Sequence, residues 1–94
     1  MDKNIVEQTL LDVQKKIDEL KKELSDLIEM QQKVTVIDSA IFEDDRYKKF
    51  DYSELGYKSS DYFESKKFTE DIEFLQSKIN CFETIKQSIE RIHN

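Results

Sequence analysis

The chain has 94 residues, enough for one domain at most. Fifteen Lys and Arg stand against 21 Asp and Glu, a net charge of −6, and charged residues (38%) outnumber hydrophobic ones (37%). No run approaches the ~20 apolar residues of a transmembrane helix, and residues 1–20 lack the continuous apolar core of a secretory signal, so a membrane span and an export leader are not expected. One glycine and no proline argue against phosphate-cradling Gly-rich loops and against turn-rich sheet folds.

From the N-terminus, apolar residues fall at Val6, Leu10, Val13, Ile17, Leu20, Leu24 and Leu27, spaced alternately by four and three. That is the heptad signature of a coiled-coil seam. Asn4, with Glu7 three residues on, has capping-box spacing for the start of a helix. Asp12–Lys16, Asp18–Lys22 and Glu29–Lys33 are spaced for i,i+4 ion pairs. Farther along, Gln31 and Asp38 take core-type positions that alternate with Val34 and Ile41. Polar residues there lower stability and can fix register or partner choice. Leu11 and Ile28 flank the seam on one side, Met30 and Ile37 on the other. A face this wide suits a helix with more than one neighbour. The β-branched run Val34–Ile37 contains no breaker, so the helix is expected to continue over residues 4–43.

The pattern is lost between Phe42 and Phe63. Seven of the ten aromatics lie in that stretch, and residues 1–41 have none. Gly56 is its breaker, followed by the loop-like Lys58-Ser59-Ser60. Asp51 and Glu54 can cap a single turn. Asp61 and Glu64 have the spacing to open a second long helix. The connection is placed at residues 44–60. Its aromatics either fold back to cap the bundle or form a contact surface, with Tyr47, Phe50, Tyr52 and Tyr57 as candidates alongside Glu43, Asp44 and Asp45.

The second helix, expected over residues 61–92, repeats the alternation at Phe68, Ile72, Leu75, Ile79 and Phe82, and Ile89 carries the face past Lys86. Phe74, Cys81, Ile85 and Ile92 form an offset stripe. Two stripes imply two neighbours. The fold expected is therefore all-α: two long antiparallel helices in a hairpin, joined by an irregular aromatic-rich connection. Two such hairpins would dimerise into a four-helix bundle through the seam residues. Self-association also suits a chain too short to bury a large core and without a disulfide.

The residues speak against catalysis. His93 is the single histidine and lies near the C-terminus. Glu90-x-x-His93 matches one arm of a di-iron carboxylate site but lacks the second arm and further inward Glu. Cys81, the single cysteine, excludes an internal disulfide, fits a reducing cytoplasm and reads as a packed apolar residue. No enzyme activity, cofactor or metal is expected. Arg46-Tyr47-Lys48-Lys49-Phe50 mixes bases and aromatics, but residues 41–67 hold six bases against seven acids, so direct nucleic-acid binding is not expected.

The helix–connection–helix layout is superficially similar to that of prefoldin subunits and of small secreted helical hairpins with a Trp-x-Gly turn. Leu55-Gly56-Tyr57 lacks that Trp, and residues 34–57 lack convincing counterparts of the prefoldin strands. No family is assigned. The function expected is a non-enzymatic protein–protein interaction module: an adaptor, regulator or inhibitor. The runner-up is an acidic phage or mobile-element inhibitor that blocks a host nucleic-acid-binding or defence enzyme, in the manner of an anti-CRISPR protein. It would act by phosphate mimicry or by masking the enzyme's surface. The acidic rows Glu43-Asp44-Asp45 and Glu70-Asp71-Glu73 would then stand in for phosphates. The low Gly, Pro and Ala content hints at an AT-rich Gram-positive bacterium or its phage.

Overall fold

The computed structural model describes residues 2–42 and 50–93, the side chain of Phe42 excepted. The described residues are all-helical with no strand. Four elements follow in order: α1 (Lys3–Phe42), the 3-10 turn η1 (Tyr52–Leu55), α2 (Ser60–Glu64) and α3 (Lys66–His93). The long helices α1 and α3 pack against each other as a hairpin. No described helix is long and apolar enough to cross a membrane.

The boundaries follow from local hydrogen bonding. Asp2, and not Asn4, caps α1. Its carboxylate accepts from the Asn4 N–H at 2.9 Å and its carbonyl from the Val6 N–H at 3.1 Å. The β-branched run does not end the helix, because no residue near it removes a donor or demands positive φ. Asp51 caps η1 by accepting from the Ser53 N–H and hydroxyl at 3.0 and 2.6 Å. Gly56 closes that turn at φ 79°, in the left-handed region that favours glycine, and its N–H donates to the Ser53 carbonyl.

The second helix is not continuous from residue 61. Ser65 divides it. Its extended backbone (φ −91°, ψ 170°) stops α2. Its hydroxyl then donates to the Tyr62 carbonyl at 2.9 Å and accepts from the Lys67 N–H at 3.1 Å, so one side chain ends α2 and opens α3. Ser59, rather than Asp61, caps α2 by accepting from the Tyr62 N–H. Asp61 sits in the first helical turn, where a carboxylate meets the positive end of the helix dipole.

The chain resolves into two compact units, Met1–Leu24 with Glu73–Asn94, and Ser25–Ile72. In the first, α1 and α3 bury Val6, Ile17, Leu20, Leu75 and Ile79, with Ile17 only 1% exposed. Leu10, Val13, Leu24, Phe82 and Ile89 are half-buried beside them. Lys21 and Glu83 bridge the two helices at 3.1 Å. In the second, Leu27, Val34 and Tyr52 are buried, and Phe68 and Ile72 half-buried. Gln31 is half-buried and Asp38 exposed, so the polar seam positions keep contact with water.

Candidate functional site

Among the described residues no three His, Cys, Asp or Glu gather as a potential metal site. Among the described residues the fold presents a polar cleft, an aromatic junction and an apolar outward stripe.

The cleft lies between α1 and α3 in the first unit. Ile17 forms its floor, and Gln14, Lys21, Glu83, Lys86, Gln87 and Glu90 its walls. Its lysines already face carboxylates: Lys21 meets Glu83 at 3.1 Å, and Lys86 meets Glu90 at 3.9 Å. Such pairs, open to water, contribute little stability and leave little unsatisfied charge for a ligand. A shallower depression runs beside Leu11 on α1, bordered by Gln14, Lys15, Asp18, Glu19 and Lys22.

The junction between α2 and α3 is aromatic. Tyr62, Phe63 and Phe68 form a triad with centroid separations of 5.2, 5.5 and 6.0 Å. The Tyr62 hydroxyl donates to an Asp71 carboxylate oxygen at 2.6 Å, Lys67 reaches the other oxygen at 3.2 Å, and Lys58 lies 4.7 Å from the Tyr62 ring centroid. Burial, and next the bond to Asp71, raise the Tyr62 phenol well above its ordinary range. The same bond, with help from Lys67 and Lys58, holds the Asp71 carboxyl below its ordinary value. This is an anchoring contact: it ties the short helix to the first turns of α3.

The candidate contact residues of the connection are differently placed. Tyr52 is 4% exposed, its ring edge-on to half-buried Phe50 at 5.6 Å. Tyr57 is half-buried. These rings pack the second unit. Tyr47, Glu43, Asp44 and Asp45 lie outside the described residues. Of the row Glu70-Asp71-Glu73, the middle carboxylate is engaged by Tyr62 and Lys67.

The outward surfaces keep the apolar residues that the hairpin does not use. Ile5, Leu11, Ile28, Val36, Leu55, Phe74, Ile85 and Ile92 are all exposed, from 38% to 70%. The expectation that Cys81 packs as an apolar residue is not met within the chain: its thiol is exposed. Cys81 lies two residues past buried Ile79, about 200° around the helix, so it cannot share that face. The stripe read from Phe74, Cys81, Ile85 and Ile92 is present and lies on the exposed side of α3.

No known protein family, curated protein or solved structure matches the chain.

Proposed function

We propose that the chain is a non-enzymatic protein–protein interaction module, an adaptor, regulator or inhibitor, whose hairpins pair into a four-helix bundle. The observation that supports this reading is the distribution of large apolar side chains. Among the described residues eight are exposed, as many as are buried. Scattered exposed apolars are ordinary, but Phe74, Ile85 and Ile92 recur on one helix face, and a contiguous apolar face is characteristic of a contact surface. Engagement of Asp71 by Tyr62 and Lys67 weakens Glu70-Asp71-Glu73, one of the two acidic rows that phosphate mimicry would use, and so supports apolar contact over mimicry by that row.

The test is capture of the partner from the source cell, followed by a salt titration of the purified complex. Apolar contact keeps its affinity between low and physiological salt. A steep loss of affinity with salt would overturn the apolar reading in favour of charge mimicry.

A further inference from the structure

We propose that the outward stripe of α3 is the surface on which a second copy of this chain docks, antiparallel, with Phe74 against Ile92 of the partner subunit. The inference rests on the association reading above and names its first partner.

Between residues 74 and 92, α3 carries a second heptad repeat: Phe74, Lys78, Cys81, Ile85, Ser88 and Ile92. At 3.6 residues per turn this stripe is rotated about 110° from Leu75, Ile79 and Phe82, which face α1. Phe74 is 61% exposed, Ile85 39% and Ile92 69%, and the Cys81 thiol is exposed. With Ser77 and Thr84 added, this face holds a single charge, Lys78, in a chain that is 38% charged. A face built only for water would carry mixed charge, whereas interface centres are depleted of it. The Lys78 ammonium lies 5.2 Å from the Phe74 ring centroid, so its stem runs along the stripe.

Two features select a second copy. First, the stripe is complementary to its own reverse. Antiparallel pairing sets Phe74 against the partner's Ile92, Lys78 against the partner's Ser88, and Cys81 against the partner's Ile85, and the two-fold axis repeats each layer. Apolar meets apolar and polar meets polar throughout. A parallel pair would stack Lys78 on the partner's Lys78, a like-charge contact that costs stability. A single polar layer in an apolar seam is also a device that fixes orientation and register. Second, the stripe is long enough to hold a pair: its six positions, 74 to 92, span about 27 Å of helix, giving six layers in the antiparallel seam.

The test combines mass with cross-linking. The wild-type chain at micromolar concentration sediments near twice 11.3 kDa, and Ile85→Lys raises the dimer dissociation constant by about 100-fold or more while leaving helicity unchanged. In a Cys81→Ala background, Lys78→Cys combined with Ser88→Cys forms covalent dimers under oxidised glutathione, and neither single substitution does. Within one chain those positions are about 15 Å apart along the helix, too far for a disulfide, so a link between them joins two chains. A helical monomer in the first measurement overturns both this inference and the bundle reading. Three results overturn the stripe alone and leave the bundle standing: a dimer that survives Ile85→Lys, a dimer that the paired cysteines fail to link, or one that a single cysteine at 78 or 88 links by itself.

Discussion

At the scale of single residues, Tyr62 and Asp71 make the most informative contact. Removing the phenol hydroxyl in Tyr62→Phe deletes one donor and leaves the aromatic triad in place. The Asp71 carboxyl is held below its ordinary value in the fold, so its contribution is complete above pH 3.8 and is lost as the pH falls through the lower folded value. The Tyr62 phenol is raised, so its contribution is complete below pH 10 and is lost as the pH climbs above it. The melting temperature of Tyr62→Phe should therefore lie below wild type at neutral pH, and the gap should narrow at both extremes. Melts of both proteins across the pH range check this. Gly56 offers a second case. A side chain there meets nothing within 4 Å, so the cost of Gly56→Ala is the left-handed backbone alone. That cost should be about 1 kcal/mol, and a synthetic chain with D-alanine at position 56 should recover it.

Among elements, the hairpin was largely legible and the division at Ser65 was not. The alternation from Val6 to Leu27 marks the inner face of α1 because a helix of 3.6 residues per turn returns to one side at just those steps. It does not grade the positions. Leu20 is 2% exposed, whereas Leu24, the next residue of the same seam, is half-buried. Leu20→Ala should cost about 2–5 kcal/mol and Leu24→Ala distinctly less, which urea melts of the two variants would measure. The break between α2 and α3 escaped notice because Glu64-Ser65-Lys66-Lys67 contains neither Gly nor Pro. The signal was Ser65 itself, a residue suited to capping, but Asp61 and Glu64 matched the same motif at a competing position. In the outward stripe, Phe74, Cys81, Ile85 and Ile92 were visible as a second apolar face, whereas polar Lys78 and Ser88 disguised its heptad. The burial of Tyr52 could not be foreseen, because aromatic composition is the same for a cap and for a contact surface.

For the whole molecule, the small core is the governing quantity. Among the described residues eight apolar side chains are buried, only one of them below 2% exposure, which is a modest store of stability for a chain of 94 residues. If self-association supplies the remainder, folding and assembly are linked by mass action, and the melting temperature depends on protein concentration. Scans over a hundredfold range should show it rise with concentration, and Ile85→Lys should flatten that dependence. A wild-type melting temperature that stays constant over the range would show that the folded state owes nothing to assembly.

The division of the chain also sets an order in time. The second unit is a continuous stretch, Ser25–Ile72, whereas the first joins the two ends of the sequence across everything between them. Contacts such as Lys21 with Glu83 must close a long loop, and that entropy is lost before the contact returns anything. The local unit should therefore nucleate, and the terminal halves of α1 and α3 should zip last. Stopped-flow kinetics would read this directly. Val34→Ala should slow folding, whereas Ile79→Ala should chiefly speed unfolding. During synthesis residues 1–24 would wait for their packing partners until residues 73–94 leave the ribosome.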